Sequence, residues 1–234
     1  SRSPWHHLNL IHDRRIRRPL FNFLNEIPKG QREKLEVSTK TPFNPIMQDK
    51  VKKTGALRLF TYGDIPFNYG CFPQTWEDPN VVTRETGCRG DSDPVDVVEL
   101  SGEPLDVGSV TPVRALGVLA LIDEGETDWK VIAVSEAAAS RHKWKTLDDV
   151  PQSVLQGVVH WFRFYKTTDG KPENQFAFDG KILGEEPALE VIEDCYQQYL
   201  NLIDGSAANP GMWFPPQQVR NSGGMQRFIG ASSK

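Results

Sequence analysis

Short apolar or alternating runs, separated by Gly, Pro and Asn, fill residues 21–134, and none shows a long 3.6-residue periodicity. In REKLEVST, Leu35 and Val37 alternate with Lys34 and Glu36, which predicts a strand with an ammonium and a carboxylate on one face. The runs VRALGVLALI and DWKVIAV flank DEGET, a pattern typical of a hairpin with its loop around Gly125. Strands spaced this closely predict a small β-barrel.

Helical patterns come late in the chain. Asp148 and Asp149 precede Pro151, and acidic residues with a first-turn proline are typical of a helix start. A second helix is predicted to begin at the acidic pair before Pro187 and to end at Gly205. Its apolar positions recur at helical spacing: Leu189, Ile192, Tyr196, Tyr199, Leu200 and Ile203. The predicted fold class is therefore α+β, mainly β, with the helices on the C-terminal side.

Length and composition are those of one ordinary globular domain. The chain has 234 residues, of which 38% are hydrophobic and 25% charged. We predict an N-terminal arm over residues 1–20, a single domain over residues 21–205 and a C-terminal extension over residues 206–234. The extension is rich in Pro, Gly, Asn and Ser, so it either wraps around the domain or frays.

The charge balance disfavours a protein that binds nucleic acid through bulk positive charge, since the net charge is -4 and the pI is about 5.8. The one dense basic run, Arg14, Arg15, Arg17 and Arg18, suits nucleic acid or anionic lipid, but its lack of interleaved aromatic residues favours a solvated terminal arm. Residues 115–122 form the longest apolar run, far short of the roughly 20 residues that a membrane helix needs.

Three cysteines, Cys71, Cys88 and Cys195, lack the paired spacing of zinc sites and are odd in number. We interpret them as free thiols in a reducing compartment.

The segment GDSDPVD concentrates carboxylates at Asp91, Asp93 and Asp96. In an extended chain Asp91 and Asp93 point to one side, and a turn at Pro94 can bring Asp96 round to join them. A solvated loop or an Asx turn is the usual explanation of a DxD pattern. Here, however, Asp96 leads directly into apolar residues, and two carboxylates about 4 Å apart repel by roughly 4 kcal/mol at an effective dielectric constant near 20. Bound cations would remove that repulsion.

The type of metal follows from the donor atoms. An EF-hand register fails because Asp96 occupies the position of the required glycine, and no His or Cys lies close enough in sequence to favour zinc. Magnesium or manganese fits the carboxylates better. In DEGETDWK, Asp123 and Asp128 lie on the two sides of the predicted hairpin loop, with Lys130 on the strand face of Asp128. An exposed polar hairpin is the alternative, and the second acidic cluster favours a functional site.

Several motifs together resemble the family I soluble inorganic pyrophosphatases: GDSDPVD, DEGETDWKVIA, KLE, NYGCFPQTWEDP and FYKTTDGKPENQF. TWEDP and DEGETDWKVIA resemble the eukaryotic branch. The resemblance implies a five-stranded OB-like barrel with flanking helices and an enzyme that hydrolyses pyrophosphate to two phosphates. It also implies three to four Mg²⁺ ions per site, for which Mn²⁺, Zn²⁺ or Co²⁺ are substitutes.

By matching motif positions, the resemblance also implies residue roles. Asp91, Asp96 and Asp128 would hold the tightest ion, and Asp96 would also contact a second ion. Asp123 and Asp128 would hold an ion that arrives with the substrate. Glu36 would hold a further ion. Glu26 would support the site, and Asp93 would be the general base for a hydroxide that bridges two ions. The implied phosphate-binding residues are Lys34, Arg58, Tyr69, Lys130, Tyr165 and Lys166.

Alternatives remain at this level. One is a related metal-dependent hydrolase of short-chain polyphosphate, and another is an OB-like binding module without catalysis. The resemblance implies no nucleic-acid or membrane partner and a homodimer, while the unmatched tail leaves a larger homo-oligomer open. We expect a cytoplasmic protein. Because the eukaryotic branch normally carries sequence before the SPWH-like stretch, a longer native N-terminus is expected, and the lumen of a polyphosphate-storing vacuole, mitochondrion or plastid stays open.

Overall fold

The computed structural model of the chain describes residues 2–13 and 18–216. The strands in this part are β1 (Ile11–Asp13), β2 (Leu20–Ile27), β3 (Leu35–Val37), β4 (Ile46–Gln48), β5 (Asn68–Cys71), β6 (Arg89–Gly90), β7 (Asp96–Glu99), β8 (Val110–Asp123), β9 (Glu126–Ser135) and β10 (Gln175–Phe176). The helices are α1 (Glu136–His142), α2 (Gln152–Phe164) and α3 (Glu185–Asp204). The predicted mainly β class with late helices is confirmed.

Five strands close into a ring. The order β2-β5-β7-β9-β8 runs along the main sheet, and β8 pairs back onto β2, so this part of the sheet has no free edge. β7 and β9 are parallel, whereas the other pairs of the ring are antiparallel. β3 and β4 form a separate two-stranded sheet. The predicted small barrel is confirmed, and the β3–β4 sheet lies in the chain between barrel strands β2 and β5.

The predicted hairpin is the pair β8 and β9. Asp123 lies opposite Glu126, and Gly125 takes a φ of +88° in the loop, a conformation that glycine adopts without steric cost. Along β9, strand alternation directs Lys130 and Asp128 to one face and Trp129 to the other. The hairpin therefore carries both a charged face and a core face.

The helix starts differ in how well they were predicted. α3 begins at Glu185 and ends at Gly205, which has a φ of +84°, as its sequence pattern predicts. α2 begins one residue after Pro151, and the acidic pair before it belongs to a short 3₁₀ turn, Leu147–Asp149. There the Asp149 carboxylate accepts the backbone N–H of Thr146 at 2.8 Å, a capping box that begins a separate turn before α2 starts. α1 was not predicted, because its seven residues follow β9 directly.

The two long helices bury their apolar faces in two hydrophobic clusters. α3 contributes Ile192 and Tyr199 to a cluster that includes Val97, whereas α2 contributes Trp161 to a cluster that includes Val98. Since Val97 and Val98 are neighbours on β7, the clusters lie on opposite faces of that strand. Both faces of the barrel wall are therefore packed, which holds the strand ends in place.

Both ends of the described chain pack on the domain. Trp5 and Leu10, from the segment predicted to be an arm, are buried in the α3 cluster, as is Met212. The backbone N–H of Trp213 donates to the carbonyl oxygen of Thr39 at 3.0 Å, so the extension wraps as far as residue 216. Arg14, Arg15 and Arg17 of the basic run lie outside the described residues, as does the chain after residue 216.

Two other expectations can be compared with this structure. Cys71, Cys88 and Cys195 are all free thiols. Among the described residues, no helix combines the length and apolar character that a membrane-crossing helix requires.

Candidate active site

The residues singled out in the sequence converge on one cavity of about 270 Å³. Its lining includes every one of them: Glu26, Lys34, Glu36, Arg58, Tyr69, Asp91, Asp93, Asp96, Asp123, Asp128, Lys130, Tyr165 and Lys166. They come from positions up to 140 residues apart in the chain, on β2, β3, β5, β7, β8, β9, the end of α2 and the segments between strands. Closure of the barrel is what brings them together.

The GDSD turn does not follow the extended path expected for Asp91 and Asp93. Ser92 has a φ of +75°, and the backbone N–H of Asp93 donates to Asp91 Oδ1 at 2.9 Å, which is an Asx turn. A Cβ on Gly90 would lie 2.5 Å from the carbonyl oxygen of Glu77, so only glycine allows this close approach. The expectation of an extended segment was therefore wrong. Backbone contact with Glu77 bends the turn, and both aspartates still line the cavity.

Three carboxylates meet at the inner end of the turn. Glu77, Asp91 and Asp128 offer oxygen atoms within 4.8 Å of one another, and Glu77 and Asp128 are buried. Glu77 Oε1 accepts the backbone N–H of Trp129 at 3.1 Å, while its buried Oε2 has no hydrogen-bond partner among the described residues. We call these three residues the acid wall. A buried, unpartnered carboxylate oxygen beside two other acids is the arrangement that a bound cation stabilises.

Burial and like charge raise the pKa values of the acid wall. The pKa of Asp128 is raised to about 7, chiefly by burial, with Lys130 acting in the opposite direction. Burial followed by Asp128 raises the pKa of Asp91, and burial followed by Asp91 raises that of Glu77. These carboxylates therefore hold protons more readily than free acids when no cation is bound.

Lys130 lies between two of the predicted metal ligands. Its Nζ donates to Asp96 Oδ2 at 2.5 Å and also to Asp128. The Tyr69 hydroxyl donates to the same Asp96 oxygen at 2.5 Å. Burial opposes the charged form of Lys130, but Asp128 and Asp96 outweigh it and raise its pKa well above the usual value. Lys130 is 2% exposed, so this ammonium is a fixed part of the cavity floor.

A second acid–base pair lies at the hairpin. Lys166 Nζ donates to both oxygens of Asp123, at 2.5 and 2.6 Å, and the Tyr165 hydroxyl donates to Oδ2 at 3.2 Å. Burial followed by the Asp123 charge raises the pKa of Tyr165, which keeps its hydroxyl protonated and able to donate. The end of α2 therefore presents two donors to the cavity.

A third group lies on the β3–β4 sheet. Lys34 Nζ is 2.6 Å from Glu36 and 3.3 Å from Asp49 Oδ2, the oxygen that also accepts from Arg58 Nη1 at 3.0 Å. Backbone bonds connect the same residues, because Asp49 N donates to Lys34 O and Arg58 N to Asp49 O, both at 2.8 Å. Burial opposes ionisation of Asp49, but Lys34 and Arg58 lower its pKa below the usual value. We call Lys34, Asp49 and Arg58 the cation wall.

Asp93 lies between the two walls with its side chain open to the cavity. The surrounding protein and then the charge of Glu36 raise its pKa to about 7, although solvent access weakens this effect. A carboxylate that titrates near neutral pH is suited to accept and release a proton. Glu26, which is 4% exposed, accepts the backbone N–H of Val37 at 2.6 Å, and burial raises its pKa well above the usual value. It ties β2 to the strand that carries Glu36.

Sequence reasoning missed two residues of this site. Glu77 belongs to TWEDP, a motif that carries the family resemblance but to whose acid no role was assigned. The available signal was its place beside Trp76, a large apolar residue that the structure shows to be buried. Asp49 is 15 residues from Lys34 and 9 from Arg58, and no local pattern indicates that it joins them. Both contacts depend on strand pairing rather than on sequence spacing.

The donor set fits a divalent cation. The converging oxygens all belong to carboxylates, which are the ligands that hard ions such as Mg²⁺ and Mn²⁺ prefer. Asp96, predicted to bind with Asp91 and Asp128, accepts hydrogen bonds from Tyr69 and Lys130, and Glu77 converges with the other two acids.

Comparison with known proteins gives a consistent result. The family described as inorganic pyrophosphatase matches residues 23–200. The chain is 41% identical over 215 residues to inorganic pyrophosphatase 1 of Caenorhabditis elegans, covering 90% of this chain and 49% of that protein. It is 42% identical over 214 residues to inorganic pyrophosphatase of Eremothecium gossypii, covering 88% and 73% of the two chains. It thus spans about half the length of the first relative and three quarters of the second.

Solved structures agree with the sequence relatives. The type I inorganic pyrophosphatase of Toxoplasma gondii superposes with a TM-score of 0.81 at 43% identity, covering 86% of this chain and 89% of that one. An N-terminally truncated vacuolar soluble pyrophosphatase of Trypanosoma cruzi, in complex with PPi, gives a TM-score of 0.80 at 38% identity, with 86% and 79% covered. The OB-like barrel implied by the sequence motifs is confirmed.

Proposed function

The chain belongs to the inorganic pyrophosphatase family, and we propose that it hydrolyses inorganic pyrophosphate to two phosphates with the aid of Mg²⁺. One observation supports this most directly. Carboxylates proposed as metal ligands are paired with cations proposed as phosphate ligands: Glu36 with Lys34, Asp123 with Lys166, and Asp96 and Asp128 with Lys130. In a magnesium pyrophosphate complex, the cation can bind the carboxylate of each pair and the anion can bind its ammonium group. The complex can therefore replace both partners of a pair at once.

We propose that Asp91, Asp96 and Asp128 hold the tightest ion, with Glu77 beside them, and that Asp123 and Glu36 serve further ions. Three to four ions per site are proposed on family grounds. The bound ions would neutralise phosphoryl oxygens and acidify the attacking water.

The chain's own groups then have separate tasks. Asp93 accepts a proton from the attacking water, for which its exposed position and a pKa near 7 suit it. Lys34, Arg58, Tyr165 and Lys166 bind the oxygens of the departing phosphate, where negative charge develops. Tyr69 and Lys130 orient Asp96 and also donate to phosphate oxygens, as the family resemblance implies, and Glu26 holds β3 against the barrel. Fixed donors of this kind need no reorganisation during the reaction.

The proposal is tested by measuring phosphate release from pyrophosphate. Purified protein with excess Mg²⁺ should release two phosphates for each pyrophosphate consumed, and a chelator should stop the reaction. Protein that remains folded by circular dichroism but releases no phosphate with Mg²⁺ or Mn²⁺ would contradict the proposal.

Assembly and compartment are separate proposals. We propose a homodimer, as the family resemblance implies, and a location in the cytoplasm. A relative from Mus musculus, 42% identical and covering 79% of this chain, is named inorganic pyrophosphatase 2, mitochondrial. Light scattering of the purified protein and subcellular fractionation of its source cells test the two statements separately.

A further inference from the structure

The end of helix α2 carries two of the proposed phosphate ligands. Tyr165 is the residue at which the helix ends and Lys166 follows it, and both donate to Asp123 at the end of β8. The last turn of a helix leaves carbonyl oxygens that no backbone N–H of the same helix can reach. A helix end that holds two side chains against a separate strand therefore needs hydrogen-bond donors from elsewhere in the chain.

Asn174 supplies two of these donors. Its side-chain Nδ2 donates to the carbonyl oxygen of Phe162 at 2.9 Å, and its backbone N–H donates to that of Arg163 at 3.0 Å. A third carbonyl oxygen, that of Phe164, accepts the Thr167 hydroxyl at 2.7 Å. Asn174 is 7% exposed, so its bonds to the helix are shielded from competing water. A buried residue outside α2 thus closes most of its last turn.

The same residue is tied to the strand that carries Asp123. Gln175, which directly follows Asn174, lies in β10 and pairs with Ile122 of β8 in an antiparallel ladder. Asp123 directly follows Ile122, so this register brings Asn174 to the end of the ladder beside Asp123. Asn174 therefore joins the helix that carries the donors to the strand that carries their acceptor.

We propose that Asn174 is a positioning residue for pyrophosphate hydrolysis. It sets the distance between the end of α2 and β8 and so holds the Tyr165 hydroxyl and the Lys166 ammonium where they bind the departing phosphate. Thr167 supports the same helix end locally. The inference rests on the proposed function and adds to it a residue that does not line the cavity. Asn174 acts through Tyr165 and Lys166, since its own bonds are directed at the helix.

The main variant is Asn174→Leu, because leucine is similar in size but cannot donate to the Phe162 carbonyl. Glu173→Gln is the matched control, because Glu173 directly precedes Asn174, is exposed and does not line the cavity. Pyrophosphate hydrolysis is measured with excess Mg²⁺, well below the melting temperature of each variant. Isothermal titration calorimetry measures Mg²⁺ affinity and, with Mg²⁺ present, the affinity for imidodiphosphate, an analogue with a bridging nitrogen. The analogue reports on the two donors without turnover.

We expect Asn174→Leu to lower kcat/KM about 10- to 100-fold and imidodiphosphate affinity about threefold to tenfold, because misplacing a binding group by about 1 Å has effects of this order. Mg²⁺ affinity without substrate should stay within about twofold, since the acid wall lies on other elements. Glu173→Gln should behave like the parent. A purely structural role of Asn174 would lower the melting temperature and leave kcat/KM and analogue affinity of the folded protein unchanged.

A Lys166→Gln background separates positioning from general damage. If Asn174 acts through Lys166, Asn174→Leu should lower kcat/KM by a clearly smaller factor in this background than in the parent protein, because the two substitutions then remove the same interaction. Equal factors in the two backgrounds would disprove the positioning role.

Thr167 provides the decisive pair if Asn174→Leu does not fold. Thr167→Val removes the bond to the Phe164 carbonyl at nearly constant shape, whereas Thr167→Ser keeps the hydroxyl. We expect the valine variant to lower kcat/KM about twofold to fivefold, as one neutral hydrogen bond at the helix end is lost, and the serine variant to resemble the parent.

The inference is overturned if folded Asn174→Leu keeps the parental kcat/KM and analogue affinity, or if Glu173→Gln is equally impaired. With unfolded Asn174→Leu, equal kinetics of the two Thr167 variants overturn it. A parent protein that binds imidodiphosphate but releases no phosphate would disprove the proposed function, while analogue affinity would still decide the role of Asn174.

Discussion

Asp91 and Asp128 of the acid wall line the same cavity as Lys34 and Arg58 of the cation wall, but the two walls are built on different scaffolds. Asp128 lies on barrel strand β9, and Asp91 follows β6, which pairs with β9, so backbone ladders hold the acid wall. Lys34 and Arg58 flank the separate β3–β4 sheet and are joined through the side chain of Asp49. The acid wall thus keeps an oxygen without a hydrogen-bond partner among the described residues, whereas the cation wall is internally paired.

This difference indicates how each wall responds to a ligand. The acid wall is held by backbone ladders and keeps one carboxylate oxygen without a hydrogen-bond partner among the described residues, so a bound cation should stabilise both the wall and the fold. The cation wall is partly exposed and internally paired, so it should exchange partners at small cost. We therefore expect substitutions to have effects that decrease from the acid wall and its neighbour Asp93 to the cation wall.

The largest effect is expected for Asp93→Asn, between the two walls. Losing a general base typically lowers kcat by about 10²- to 10⁴-fold, while the turn should persist because Asp93 binds Asp91 through its backbone N–H. Mg²⁺ affinity, measured by isothermal titration calorimetry, should stay close to that of the parent. A variant with parental kcat would show that another group accepts the proton.

Next in size is the effect of pH on the metal-free protein. The pKa of Asp128 is raised to about 7 in the fold, so between pH 6.5 and 8 the folded state binds more protons than the unfolded state and stability falls as pH rises. The slope is up to about 1.4 kcal/mol per pH unit for each group that titrates in this way. The buried His6, whose pKa is lowered to about 4, has the opposite effect, which fades as pH rises through the usual histidine pKa of 6.5.

Thermal unfolding in a chelator at pH 6.5, 7 and 8 measures this slope. Mg²⁺ should raise the melting temperature more at pH 8 than at pH 6.5, because the ion binds the deprotonated acid wall. A metal-free protein that becomes more stable from pH 6.5 to pH 8 would contradict the charge balance described for this wall.

Glu77→Gln should have an intermediate effect on metal binding. Gln can still accept the Trp129 N–H, but it lacks the charge that Oε2 offers a cation, and the loss of such a supporting group typically weakens metal affinity about 10- to 100-fold. Metal-free protein should be at least as stable as the parent, since one like charge is removed.

Glu126→Gln is the control for Glu77→Gln, because Glu126 lines the cavity, is exposed and lies outside the converging group. Titration of Mg²⁺ into both variants makes the comparison. Equal affinity losses would mean that overall charge, rather than the position of Glu77, determines binding.

The smallest effect is expected for Asp49→Asn in the cation wall. Lys34 keeps Glu36 as a partner, so we expect kcat/KM for pyrophosphate to fall only about threefold to tenfold as the two cations become less ordered. Asp64→Asn is the control, because it breaks an ion pair with Arg32 at 2.6 Å in which both side chains are more than half exposed. We expect it to change the free energy of unfolding, or the activation free energy of the reaction, by no more than about 0.5 kcal/mol. An Asp49→Asn variant as impaired as Glu77→Gln would remove the distinction between the walls.

Local patterns predicted much of the fold. The hairpin around Gly125 and the second long helix follow from alternation, helical spacing and the glycines that end them. The start of α2 was placed incorrectly, because acidic residues before a proline serve equally well in a separate turn. The path of Asp91 to Asp93 was wrong for a comparable reason, since the backbone of Glu77, 14 residues earlier in the chain, bends it.

Alternation and helical spacing in the sequence predicted a barrel with late helices, and the family resemblance of its motifs named the acids, lysines and tyrosines that line the cavity, because patterns and motifs of this kind extend over a few residues. Which oxygen meets which cation was decided by the closed sheet. Asp49 reached Lys34, and Glu77 reached Asp91 and Asp128, only when strands distant in sequence were paired. Ionic contacts depend on distances of a few ångströms in space, and no rule of sequence spacing specifies these across a barrel.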